Sequence, residues 1–99
     1  GAISLAKSAI ESACRQLSLE MAPHGVAVNA IQAGVTNTAA LRKIPDYESM
    51  KKNAIKNNPH QRLTEPSDVA DFIELLISYE SSWMTGNIIR IDGGEDITG

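Results

Sequence analysis

The sequence predicts an α/β chain, a βαβ unit preceded by a long helix. Three observations carry that expectation. Val26–Ile31, VAVNAI, is a β-branched run too short for a helix between Gly25 and Gly34. Ile88–Ile91, IIRI, is a second such run, closed by Asp92, Gly93 and Gly94. Between the two, and before the first, apolar residues recur at helical spacing. Strand, long helical crossover and strand make a βαβ unit, whose strands run parallel with a right-handed crossover.

The first helix covers Gly1–Met21. Ile3, Ala6, Ile10, Ala13, Leu17 and Met21 recur at steps of three and four as an apolar stripe, and Pro23 and Gly25 stop it. Ser4, Ser8, Ala9 and Ser12 keep the opposite face small, so a neighbouring backbone can approach there and the helix packs on both sides. The strand at Val26–Ile31 alternates poorly, as a central parallel strand does. Thr38 then caps a short helical turn through Lys43, and Pro45 breaks it. Asp46 caps a further helix with Met50, Ala54 and Ile55 as a narrow apolar edge, ended by Asn57, Asn58 and Pro59. Residues 39–61 are expected to be a lid-like excursion outside the core. Thr64 or Glu65 caps the next helix, with Pro66 in its first turn and Asp68 near the positive end of the dipole. Val69, Phe72, Ile73 and Leu76 form its stripe.

Composition narrows the function. Of the 99 residues, 42% are apolar and 21% charged, an ordinary globular balance that excludes disorder and fibrous repeats. Net charge is −3, and the basic residues Arg42, Lys43, Lys51, Lys52 and Lys56 are interrupted by Asp46 and Glu48, too few for a nucleic-acid face. The single cysteine, Cys14, forms no intrachain disulfide and has no metal-ligand spacing around it, so no metal site is expected and a small packed helix residue is. Trp83 and Met84 are expected to pack or to meet another subunit. No apolar stretch approaches the roughly 18 residues of a membrane span, and no signal-peptide pattern opens the chain. The expected compartment is the cytoplasm. The chain begins inside a helix, which reads as a piece of a larger domain.

The polar turn Gly34, Thr36, Asn37, Thr38 follows the first strand directly, at the carboxyl end where open α/β sheets bind ligands. Lys7 on the first helix, NAIQAGVTNT after the strand and WMTGNIIRIDGG at the close together resemble the carboxyl-terminal part of the short-chain dehydrogenase/reductase family. The likeness covers essentially the whole chain, in order and spacing. It implies a partial Rossmann-like doubly wound parallel sheet, residues 1–99 forming one segment of a reductase domain with 39–61 as its substrate-loop excursion. It implies NADH or NADPH as cofactor, with Lys7, Gly34, Thr36 and Thr38 in its site. Lys7 matches the lysine that hydrogen-bonds the nucleotide ribose and lowers the pKa of the catalytic tyrosine, each unit being worth about 1.4 kcal/mol. Gly34 keeps the turn open, Thr36 falls where the backbone grips the nicotinamide carboxamide, and Thr38 falls where a hydroxyl binds carboxamide or phosphate. Thr36 and Thr38 also read as an ordinary turn and helix cap.

The tyrosine is not in the sequence. The commonest family spacing before Lys7 points to Ile3, and the spacing of the enoyl-acyl-carrier-protein reductase branch points to the position before Gly1. Ala33 in place of the usual proline agrees with that branch. The resemblance therefore implies a fragment of an enoyl-acyl-carrier-protein reductase of fatty acid synthesis, cut just after its tyrosine. The alternatives are a 3-oxoacyl-acyl-carrier-protein reductase or other short-chain carbonyl reductase, and a catalytically inactive oligomerisation module with isoleucine at the tyrosine position. An acyl-carrier-protein-linked substrate and a homo-oligomer are the implied partners. The glycine-rich loop that holds the pyrophosphate is absent from these residues, so the segment alone is expected to be inactive.

Overall fold

The computed structural model describes residues 2–98, with side chains from Leu5 onward. Ile3, offered as the common tyrosine position, lies outside the described side chains. The elements run α1 (Ala2–Met21), β1 (Ala30–Ala33), α2 (Ala39–Arg42), α3 (Tyr47–Asn57), α4 (Pro66–Ile77) and β2 (Ile88–Ile91). Short 3-10 turns occupy Ala22–His24 and Glu95–Thr98. The chain divides into two compact units, one of residues 1–31 and 80–89, the other of 32–79 and 90–99. β1 and β2 pair with each other. The Ala30 N–H donates to Asn87 O at 2.9 Å and the Gly34 N–H to Ile91 O at 3.3 Å. The register advances by the same step along both strands, which is a parallel pairing.

In the first unit α1 ends where expected. Gly25, at φ +71°, closes the helix with its N–H on Ala22 O at 3.0 Å, a left-handed conformation that favours glycine. The face that α1 buries is not the expected stripe, and here the sequence reading is corrected. Ile10 is 59% and Leu17 48% exposed, whereas Cys14 and Ser18 are buried. The Cys14 Sγ lies 3.7 Å from both Val28 O and Asn87 O. A Cβ on Gly86 would sit 3.1 Å from Ser18 Oγ. Close approach of helix to backbone thus occurs at Ser18, while Ser8, Ala9 and Ser12 are exposed. Only a small side chain fits between a helix and a backbone this near, so the large apolar residues face away.

The first strand is also displaced. Val26–Ile31 was the expected strand, but pairing begins at Ala30, because the partner ladder begins at Ile88. Opposite Val28 the backbone bends instead: Val28 N donates to Thr85 Oγ1 at 3.0 Å, and Gly86 N, at φ +79°, donates to Val28 O at 2.7 Å. Trp83, expected to pack or to meet another subunit, is 91% exposed within this chain, so it does not pack here.

The second unit holds a small core of Leu41, Ala54 and Leu63, flanked by Val35, Tyr47 and Ile55. Leu41 and Ala54 both lie within residues 39–61, so that segment supplies core rather than standing outside it. A parallel bridge from Thr36 to Thr64 closes the base of residues 37–63. Glu65 is the N-cap of α4, and Asp68 Oδ2 accepts its N–H at 2.7 Å. Thr64 lies one residue before the N-cap position, and its backbone is in the bridge to Val35 and Asn37. Asp46 precedes α3 at φ +64°, yet its carboxylate makes no capping bond, contrary to expectation. Val69, Phe72 and Leu76 are half-buried on α4, whereas Ile73 and Leu75 are exposed. Among the described residues no helix is long and apolar enough to cross a membrane.

Candidate functional site

The chain leaves β1 through a turn held on several sides. Gly34 is approached so closely that a Cβ would stand 2.8 Å from Thr64 Oγ1, 3.0 Å from Asp92 Cβ and 3.1 Å from Glu95 Oε2. Val35 donates its N–H to the Glu95 carboxylate, 3.2 Å to Oε2 and 3.4 Å to Oε1, and its carbonyl accepts the Thr64 N–H at 3.0 Å. The Asn37 N–H donates to Thr64 O at 2.8 Å. In a parallel pairing of this kind the residue between the two bonded groups turns its own N–H and C=O to the opposite edge. That residue is Thr36. Its backbone N–H and C=O thus face away from Thr64, while its hydroxyl donates to Gly34 O at 2.8 Å and ties down the turn.

Thr38 is the N-cap of α2, its Oγ1 accepting the Leu41 N–H at 3.1 Å. A hydroxyl that accepts still has its own proton to donate. Asn37 accepts from Arg42 Nη1 at 2.9 Å and donates to Glu65 Oε1 at 3.2 Å. An amide ligand such as a carboxamide needs one acceptor and one donor on a single edge, and the Thr36 N–H and C=O supply both. The residues present fit that group.

The walls are polar and well satisfied. Buried Asn58 donates to Asp92 O at 2.9 Å and accepts the His60 N–H at 2.8 Å. Buried Asp92 accepts from Gly94 N at 2.9 Å and Asp96 N at 3.0 Å. Arg62 and Asp68 make a forked ion pair, 2.7 and 3.0 Å. Those bonds, with the Glu65 N–H, hold the Asp68 carboxyl down to about 2. An open cleft of about 760 Å³ lies against Val35, Met50, Asn53, Ala54, Asn57 and Glu95, so the turn and α3 share a wall. Among the described residues no His, Cys, Asp and Glu side chains gather into a metal-holding group.

Gly34, Thr36 and Thr38 therefore fall in one constellation in the second unit. Lys7 stands exposed on α1 in the first. Residues 1–96, nearly the whole chain, match the family described as enoyl-(acyl carrier protein) reductase. The chain belongs to this family of short-chain dehydrogenases/reductases. The NADH-dependent enoyl-acyl-carrier-protein reductase FabI of Aquifex aeolicus is 34% identical over 95 residues, 96% of this chain and 35% of that protein. A small-chain dehydrogenase in complex with NADPH superposes with a TM-score of 0.76 at 34% identity, covering 91% of this chain and 40% of that one. A 3-oxoacyl-[acyl-carrier protein] reductase from Brucella melitensis gives 0.76 at 33%, covering 89% of this chain and 32% of that one. The chain spans about a third to two-fifths of the length of these relatives. Its helix, parallel strand pair and crossover are a portion of the family's Rossmann-like doubly wound sheet.

Sequence reasoning missed Glu95; Asp92 and Asn58 it read, from their turn signals, only as closing β2 and α3, not as bonded to each other. Glu95 carries no such signal, since its partner is 60 positions away in the chain.

Proposed function

We propose that the chain is part of an NAD(P)H-dependent reductase that reduces the double bond of an enoyl group borne by an acyl carrier protein. The observation that carries this proposal is the Gly34–Thr38 turn, whose outward Thr36 backbone and Thr38 hydroxyl match a nicotinamide carboxamide, in a chain of this family. A nicotinamide nucleotide, when bound, supplies the hydride. Thr36 orients the carboxamide through its N–H and C=O, and Thr38 donates its hydroxyl proton to carboxamide or phosphate. Lys7 places its ammonium on the ribose hydroxyls and favours the phenolate of a tyrosine supplied by the parent protein. Residues 39–61 form the substrate side, since α3 flanks the cleft against Val35. Exposed Lys43, Lys52 and Lys56 attract an acidic carrier, each contributing little alone because solvent screens them. The parent is a cytoplasmic homo-oligomer in this proposal.

A 3-oxoacyl substrate is the second reading, favoured by the Brucella melitensis structure. Sequencing the natural message across Gly1 separates the two: tyrosine immediately before Gly1 supports the enoyl reductase, and another residue there removes it. Titration of the full-length protein with NADH and NADPH, followed by nucleotide fluorescence, tests the cofactor. Saturable binding of one is expected, and binding of neither overturns the proposal. Because Thr36 meets the ligand through its backbone, Thr36→Ser, which keeps the hydroxyl bond to Gly34 O, should leave affinity within about twofold. Thr36→Pro, which removes the outward N–H while leaving the bridge bonds to Thr64, should weaken it roughly tenfold.

A further inference from the structure

We infer that Glu95 is a positioning residue for the nicotinamide site, fixing the backbone of Val35 so that Thr36 presents its N–H outward; this rests on the function proposed above. A peptide unit is planar, so holding its C=O on one side aims its N–H to the other. The Val35–Thr36 unit is held in this way by the Thr64 N–H on Val35 O. The preceding unit, Gly34–Val35, is the weak point. Gly34 has no Cβ to restrict rotation about its own bonds, and the space a Cβ would need is taken. The Glu95 carboxylate is what receives the Val35 N–H of that unit, at 3.2 Å, as a charge-assisted hydrogen bond. On the other side the Thr36 hydroxyl donates to Gly34 O. Both ends of the unit are thereby fixed, and Val35 cannot turn without breaking one of these bonds.

Glu95 is itself well placed for this work. Its N–H donates to Asp92 O at 3.1 Å, and the Asp92 carboxylate binds Gly94 N and Asp96 N on either side of it. The carboxylate therefore projects from a turn that is already rigid. Its reach to Val35 links the end of β2 to the end of β1, across 60 positions of sequence.

The test uses the full-length protein, with Glu95→Ala, Glu95→Gln and Asp96→Asn compared by nucleotide titration and steady-state kinetics. Glu95→Ala should raise the Kd and KM for the nucleotide roughly tenfold, with kcat at saturation changed about twofold or less. Glu95→Gln keeps a carbonyl oxygen for the Val35 N–H and should restore affinity to within about threefold. Asp96→Asn, whose carboxylate pairs with Arg90 at 2.6 Å, should not alter nucleotide affinity. If Glu95→Ala fails to fold, Glu95→Asp, one methylene too short to reach, gives the same measurement. Wild-type affinity in Glu95→Ala, or in Glu95→Asp where it stands in, overturns the inference. So does a Glu95→Gln variant as impaired as Glu95→Ala. Failure of the wild-type protein to bind either nucleotide would instead overturn the proposed function.

Discussion

Gly34 shows how much a single missing carbon decides. The sequence marks it as the residue that ends the strand, and the structure gives the reason, with Thr64, Asp92 and Glu95 filling its Cβ space. Gly34→Ala should destabilise the protein by about 1–3 kcal/mol, measured by denaturant unfolding, because the Thr64, Asp92 and Glu95 side chains crowd the added carbon at once and must shift together. Asp68 supports a prediction of a different kind. The Arg62 guanidinium and the Glu65 N–H lower its pKa to about 2, so its stabilising effect is fully present above the unfolded value near 3.8 and disappears as pH falls through about 2. Thermal melts of wild type and Asp68→Asn should differ at neutral pH. The gap should close between about pH 4 and pH 2, and a gap independent of pH would contradict the assigned pair. At this scale the sequence pointed to Lys7, Gly34, Thr36 and Thr38 through their motif, and the structure groups the last three in one turn. It concealed Glu95, whose partner is set by a distant contact.

Elements were more legible in kind than in orientation. The Ile88–Ile91 strand appears where the β-branched run placed it, and α2 begins at its Thr38 cap. Thr38→Ala should cost about 1 kcal/mol in stability and Thr38→Ser much less, since serine also caps. Thermal unfolding checks this, and equal losses in both variants would remove the capping role. Helix α1 exists as its periodicity requires, yet it buries Cys14 and Ser18 rather than Ile10 and Leu17. A hydrophobic stripe states that one face avoids water. It does not state which neighbour covers that face, or that a backbone will press on the other. The start of β1 was misplaced for a similar reason, because a β-branched run becomes a ladder only where a partner strand lies alongside.

For the whole molecule, the apolar surface left outside is the consequence with the clearest test. Leu5, Leu19, Ile77 and Trp83 are each at least 74% exposed in this chain. Side chains of this size gain by leaving water, so the 99-residue chain should associate with itself at micromolar concentration. Light scattering should show species larger than 10.6 kDa, and a well-behaved monomer would count against it. The family, the α/β class and the polar turn after the first strand were all readable from residue order, because strand runs, helix periods, caps and short motifs are local patterns written along the chain. The tertiary structure alone decided which face of α1 is covered, that residues 39–61 supply the Leu41 and Ala54 core, and that Thr64 and Glu95 bond the backbone on either side of Thr36 and at Val35. Those outcomes depend on groups brought together from distant positions, and a one-dimensional pattern carries the demand for a partner without naming it.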